Sequence, residues 1–310
     1  MQGKNTMTKT KNDPWTEGML LFVMLVWAAN FSVSKWILSD INFFVYNFLR
    51  FAVAALVFLI ALPYIKNRRK FEKQDYTLLG KTSIVVNLFY QGLFILGLGM
   101  TSAGNSAVII STAPLFTILL NALLFREKIA WVNLGFMIIS LFGIVLMIFT
   151  GPPKLLTEVK TSSVAGDLIT LGAAACWALY TVIQQPLVSK YPPLQVTAFT
   201  IISGAIILFF PALPYFGAMD WGKVSPEKWA GAIASGALSI GLAYFIWSKA
   251  ISKIGPVRTA QYNNIVVVFA YLISMLVLQE SHTWTQHLGA GLTVAGVWGA
   301  RFLSLSKKSK

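Results

Sequence analysis

Charge is scarce in this chain. Of its 310 residues 12% are charged, against roughly 25% in a typical soluble domain. A soluble fold of this length needs a charged surface around its core, and too little charge is present to make one. Acids are the scarcer sign, with 11 Asp and Glu against 25 Lys and Arg, for a net charge of +14. Cysteine is almost absent: Cys176 stands alone, which excludes an internal disulfide framework and argues against a Cys-based metal site. There is no HExxH, no GxSxG and no acidic pair inside an apolar run, and Gly97-Leu98-Gly99 is too short for a nucleotide loop. An intramembrane enzyme lacks its chemistry here, and an ion channel lacks a filter-like repeat or a charged ring. Catalytic residues, a metal site and a cofactor are therefore not expected.

Hydrophobicity fills the space that charge leaves. Mean hydropathy is +0.68, and apolar stretches of about 20 residues, the length a helix needs to cross a bilayer, recur along the chain. Ten are legible, at 15–38, 43–62, 80–99, 102–124, 129–150, 164–188, 193–216, 227–250, 255–278 and 283–303. The first is too long for a cleavable signal peptide and lacks its small-residue cleavage site. Alternating β-barrel strands are not found. The expected fold class is therefore all-α integral membrane, with ten transmembrane helices.

Cations set the expected orientation. With both termini cytoplasmic, 19 of the 25 Lys and Arg fall on the inner side, four on the outer side, and Lys35 and Arg50 within spans. The excess of +14 then reads as a topology signal rather than a nucleic-acid surface. The expected location is the inner (cytoplasmic) membrane, as a multi-pass protein.

The two halves resemble each other. Trp27 and Trp177 are 150 residues apart, and further on the offset becomes 153: Ser106-Ala107 against Thr259-Ala260, Glu127 against Glu280, Trp131 against Trp284, Gly143 against Gly296. Five spans per half is an odd number, so the second half must enter from the opposite side, giving two inverted repeats. The division expected is a cytoplasmic tail over 1–14, a first repeat over 15–150, an external linker over 151–163, a second repeat over 164–303 and a basic tail over 304–310.

Polar residues inside the spans mark a candidate pathway, because hydrocarbon leaves such groups unsatisfied. Trp27, Asn30, Phe31 and Ser34 share one face of span 1, as do Trp177, Tyr180, Thr181 and Gln184 of span 6. Asn87, Tyr90, Gln91 and Phe94 share a face of span 3; Tyr244, Trp247 and Ser248 share one of span 8. Span 4 adds Asn105, Ser111 and Thr112, and span 9 adds Gln261, Tyr262, Asn263 and Asn264. Helix packing is the plainer reading of such residues. Aromatic rings beside amides suit a small organic solute with an apolar body and polar ends. Trp15, Trp221, Trp229 and Trp284 read as interfacial belt residues.

Two cations lie within the spans. Arg50 has the fork geometry to hold a carboxylate or phosphate, or it meets a structural partner such as backbone carbonyls or Asp40. Lys35 is close enough to a span end to snorkel. No Asp or Glu falls in the middle of a span, which disfavours coupling through a buried carboxylate. His282 and His287 sit near the outer surface. Gly231, Ser235 and Ser239 in span 8, and Gly291, Ala295 and Gly299 in span 10, form ladders for close helix approach. Gly291→Leu is accordingly expected to damage folding or assembly.

The sequence resembles the drug/metabolite transporter superfamily, in its bacterial EamA-type branch. The resemblance is carried by the ten spans in two repeats, Tyr46-Asn47-Phe48-Leu49-Arg50-Phe51, and Ala113-Pro114. It is completed by Phe125-Arg126-Glu127-Lys128-Ile129 and Leu278-Gln279-Glu280-Ser281-His282, each followed by a Gly-containing span. It covers roughly residues 15–303. It implies a transporter of small organic metabolites, amino acids or related compounds in the export direction, with a drug or nucleotide-sugar-like solute as the alternative. It places the substrate helices around a central site, for which the candidates are Trp27, Asn30, Ser34, Arg50, Tyr90, Gln91, Asn105, Trp177, Tyr180, Gln184, Tyr244, Trp247, Gln261 and Tyr262. The expected partners are a small-molecule substrate and the lipid bilayer, with no nucleic acid; monomer or homo-oligomer stays open. One departure is Val267 at the position matching Pro114, so span 9 is expected to be straighter than span 4.

Overall fold

The computed structural model describes residues 13–65, 67–101, 103–126, 131–149, 164–276 and 283–306. Glu127, Glu280, His282, the external linker and most of both tails lie outside the described residues. No strand occurs among the described residues. In chain order the helices are α1 (Pro14–Ile37), α2 (Phe43–Tyr64), α3 (Asp75–Met100), α4 (Ala103–Ile110), α5 (Ala113–Phe125) and α6 (Trp131–Phe149). They continue as α7 (Val164–Lys190), α8 (Pro193–Tyr215), α9 (Pro226–Ile254), α10 (Pro256–Gln261), α11 (Ile265–Leu276) and α12 (Trp284–Ser306). Among the described residues six of them, α1 to α3 and α7 to α9, are long and apolar enough to cross a membrane.

Their beginnings are written locally. At α1 the Asp13 side chain accepts from Thr16 N–H at 3.2 Å, and Pro14 occupies the first helical turn. Asn42 caps α2 and Ser225 caps α9 in the same way. Outward faces stay apolar, with Ile60, Leu123, Phe142 and Phe210 all exposed. In water such a surface would aggregate; in lipid it is the expected outer layer.

The halves are tied by a reciprocal contact between α6 and α12. A Cβ on Gly143 would lie 2.5 Å from Gly289 O and 2.7 Å from Thr293 N; one on Gly296 would lie 2.6 Å from Phe136 O and 2.7 Å from Ser140 N. Adding the repeat offset of 153 to 136, 140 and 143 gives 289, 293 and 296, so the contact maps onto itself. Ser140 Oγ donates to Thr293 O at 3.2 Å and Thr293 Oγ1 donates to Ser140 O at 3.4 Å. Because 143 meets 289 while 136 meets 296, the two helices run antiparallel. Reciprocity of this kind is the signature of an approximate twofold relation.

The small-residue face of α12 differs from the expected one. A Cβ on Gly291 would meet nothing within 4 Å, whereas one on Gly299 would strike the Phe136 ring. Gly291 and Ala295 are exposed, so the ladder sits on Gly289, Gly296 and Gly299. The sequence carries glycines at both registers, and spacing alone does not choose between them. The expected damage from Gly291→Leu has no packing basis.

Span 9 is interrupted, as span 4 is. α4 and α5 are separated at Ser111–Thr112, and a 3-10 stretch at Tyr262–Asn264 separates α10 from α11 at the matching position. Proline is not needed for the second break. Asn264 Nδ2 donates to Ser140 Oγ at 2.8 Å, and a run of amide side chains competes with the helix for hydrogen bonds.

Candidate functional site

Two longer interruptions frame the centre of the molecule. α3 is π-helical over Ile84–Tyr90 and α9 over Ser235–Leu242. Shifted by 153, the first range overlaps the second, so the feature belongs to both halves. A π turn widens the helix and re-aims the side chains that follow it, a device frequent at functional sites. Here those side chains are Tyr90 and Gln91 on α3, and Tyr244 and Trp247 on α9.

Tyr90, Gln91 and Tyr244 line a central cavity, and Trp247 packs behind it. Its aromatic wall is Trp27, Phe31, Tyr90, Phe94, Trp177 and Tyr244; its polar groups are Asn30, Arg50, Gln91, Ser239 and Asn263; Ala107, Ile110, Ile240 and Val266 complete it. The rings pack edge to face or tilted, Trp27 to Trp177 at 5.3 Å and Tyr90 to Trp177 at 4.8 Å between centroids. Trp27 Nε1 donates to the Ser239 carbonyl within the π stretch at 3.0 Å.

Residues equivalent under the repeat meet each other in this cavity. Trp27 touches Trp177, its partner at an offset of 150, and Gln91 Nε2 donates to the hydroxyl of Tyr244, its partner at 153. With Ser140 and Thr293, three equivalent pairs are in mutual contact, which happens only along a twofold axis. The cavity lies on that axis.

Seven of the fourteen candidate residues line the cavity: Trp27, Asn30, Arg50, Tyr90, Gln91, Trp177 and Tyr244. Six stand behind it, all buried. Ser34 Oγ and Tyr46 Oη share a hydrogen at 2.8 Å; Tyr46 reaches Ser235 Oγ at 3.2 Å, which donates to Asn30 Oδ1 at 2.6 Å. Gln184 Oε1 accepts from Ser248 Oγ at 2.9 Å, and Trp247 Nε1 donates to Thr181 Oγ1 at 3.2 Å. Trp247 also packs on Trp27 and Trp177, and Tyr180 on Trp177. Gln261 and Tyr262 occupy the span 9 break. The side chain of Asn105 lies outside the described residues.

The lining also includes residues outside that set. Phe31 and Phe94 share faces with candidate residues, so their signal was in the periodicity; Asn263 stands in the polar run of span 9, which covers too wide an arc for periodicity to pick one member. Ser239 and Ile240 enter through the π turn, and Ala107, Ile110 and Val266 are apolar with no polar signal to mark them.

Arg50 is 1% exposed, and its Nε and Nη1 have no hydrogen-bond partner among the described residues. The Tyr46 ring lies against the guanidinium, 5.3 Å from the centroid. Asp40, the partner considered for it, is joined instead to Lys228 at 2.5 Å. Lys35 turns away from the cavity: its Nζ donates to the carbonyls of Leu98 at 2.9 Å and Thr101 at 2.8 Å, capping α3. No Asp, Glu or His lines the cavity, and no cluster of metal-ligating residues occurs among the described residues.

A helical bundle with apolar outer faces and a central aromatic cavity on a twofold axis is the build of a multi-pass membrane protein. The EamA-like transporter family pattern matches residues 14–149 and again 164–302, and the chain belongs to that family. The chain is 29% identical to an uncharacterized transporter, YyaM, of Bacillus subtilis (strain 168), over 90% of this chain and 91% of that one. An uncharacterized transporter of Archaeoglobus fulgidus is 25% identical over 91% of this chain and 96% of its own length. A solved crystal structure superposes with a TM-score of 0.70 at 16% identity, covering 93% of this chain and 96% of the other, and shares the fold.

Proposed function

We propose that the protein carries a small organic solute across the inner (cytoplasmic) membrane by alternating access. In this reading ten helical crossings form two inverted repeats, both termini are cytoplasmic, and α4–α5 and α10–α11 each make one broken crossing. The observation that carries the reading is the cavity on the twofold axis, walled by equivalent residues of both halves. An approximate twofold axis in the membrane plane gives inward- and outward-facing states of similar energy, and a site on the axis is reached from either side. Loading and release then require the helices around the cavity to part on one side of the membrane at a time. The family and the relatives named as transporters support transport rather than catalysis. An amino acid or related compound, moved outward, is the solute class the family resemblance favours.

Among the described residues no carboxylate or imidazole lines the cavity to bind a coupling proton, which supports facilitated diffusion or exchange. The test is flux into liposomes containing the purified protein, using a solute found by a thermal-shift screen over amino acids, nucleotides, sugars and cationic drugs. Saturable flux, reduced at least about tenfold by Trp177→Ala, a change of the size expected for loss of a central aromatic contact, is the expected result. Absence of flux for every solute that binds would overturn the transporter reading. Uphill uptake on an imposed pH gradient alone would overturn the uncoupled mechanism.

A further inference from the structure

We propose that the central cavity selects a carboxylate-bearing monoanion, anchored by the Arg50 guanidinium, with an apolar body against Trp27 and Trp177. This deepens the transport reading and rests on it for the role of the cavity.

Arg50 is a buried permanent cation. A guanidinium keeps its proton at any physiological pH, so it cannot lower its cost by neutralising itself as a buried lysine does. An ion taken out of water without a partner carries a large desolvation penalty. Three routes to compensation within the protein are closed. Asp40 is committed to Lys228, no acid lines the cavity, and Nε and Nη1 find no acceptor among the described residues. The Tyr46 ring stabilises the charge through its face while leaving the N–H groups free.

Asn263 Nδ2 is a second buried donor of the lining without a partner among the described residues, and Gln91 Oε1 is a buried acceptor in the same position, suited to a donor elsewhere on the solute. One guanidinium fork matches one carboxylate with two parallel hydrogen bonds. A phosphate dianion would call for a second cation, and Lys35 is turned to the carbonyls at the end of α3. The aromatic wall supplies flat apolar contact for the body of the solute.

The test uses full-length protein in detergent and four probes of one shape: 3-phenylpropionate, its amide, 3-phenylpropylamine and L-phenylalanine. Binding is read by thermal shift and by quenching of tryptophan fluorescence. The expected result is that 3-phenylpropionate binds at least about tenfold more tightly than the amide and the amine. Arg50→Gln abolishes that preference, while Arg50→Lys keeps part of it. L-phenylalanine distinguishes sources of the carboxylate: binding equal to 3-phenylpropionate or tighter points to amino acids, and weaker binding points to simple organic acids. Either supports the proposal. An amide that binds as tightly as the carboxylate, a preference that survives Arg50→Gln, or no response to any probe overturns it. The wild-type comparison stands even if the variants fail to fold. Because binding is measured without flux, this proposal can fail while saturable transport through the cavity persists, so the two readings are separable.

Discussion

Arg50, Lys35 and Lys228 lie on apolar helices, and their surroundings give them three different roles. Lys35 satisfies carbonyls at the end of α3. Lys228 joins Asp40 and Ser39, tying the α1–α2 connection to the start of α9. Arg50 alone faces the cavity. Arg50 and Lys35 were visible in the sequence as cations within spans and Lys228 read as an outer-side cation, but which partner each had taken was not visible. Partner choice depends on groups far away along the chain, carbonyls 63 and 66 residues on for Lys35 and side chains 188 and 189 residues back for Lys228. The Asp40 carboxyl is held below the usual carboxylate range, first by the hydrogen bond from Lys228 and then by that from Ser39. A depressed carboxylate contributes stability above its unfolded value and loses it as pH falls through the folded one. Lys228→Met should therefore lower the melting temperature near neutrality. The gap to wild type should begin to narrow as pH falls below roughly 4 and should close only below the depressed value at which Asp40 protonates in the folded wild type. A gap independent of pH would contradict the assignment. Tyr46→Phe should also destabilise, by about 1–3 kcal/mol in chemical or thermal unfolding, because Ser34 and Ser235 lose a shared buried partner.

Among the elements, the long helices were legible because hydropathy alone defines a span of lipid-facing helix. Their interruptions were less so. The α4–α5 break comes immediately before Pro114, a recognised signal, whereas the break at Tyr262–Asn264 rests on amide side chains that hydropathy does not weigh. The matched π stretches in α3 and α9 have no signature of residue type at all, and they bring Ser239 and Ile240 into the cavity. The glycine face of α12 is a related case, since the choice between Gly291 and Gly296 depends on the rotation of the helix against α6. Gly296→Leu and Gly143→Leu should each cost about 3 kcal/mol or more, since the new side chain meets backbone rather than a movable side chain. Gly291→Leu should stay near wild type. Expression level and melting temperature of the three variants decide this, and a Gly291 variant as damaged as the other two would contradict the register.

At the scale of the whole molecule, the internal repeat was the most informative pattern in the sequence. Trp27 with Trp177, and Gly143 with Gly296, were paired by offset before any contact was known, and both pairs fall on or beside the twofold axis. What spacing could not give was that equivalent residues touch, since an offset states correspondence and not proximity. The absence of a carboxylate from the cavity, foreshadowed by the low acid count, has a consequence for flux. If the carrier reorients as proposed, Arg50 passes through that step neutralised when an anionic solute is bound, and as an unpaired buried cation when none is, at a cost of several kcal/mol. Exchange of solute should therefore outpace net efflux by at least about tenfold, measured as stimulation by solute on the opposite side of a liposome membrane. Equal rates with and without opposing solute would count against an unpaired Arg50 in the empty carrier.

Access to the cavity from both sides of the membrane is the most direct test. Cys176 is the single cysteine, so Cys176→Ala gives a background in which Ser239→Cys places one thiol on the cavity wall. A membrane-impermeant thiol reagent applied to oriented vesicles should label that thiol from either face, and bound solute should slow labelling from both. Labelling from one face only, or from neither, would contradict alternating access through this site.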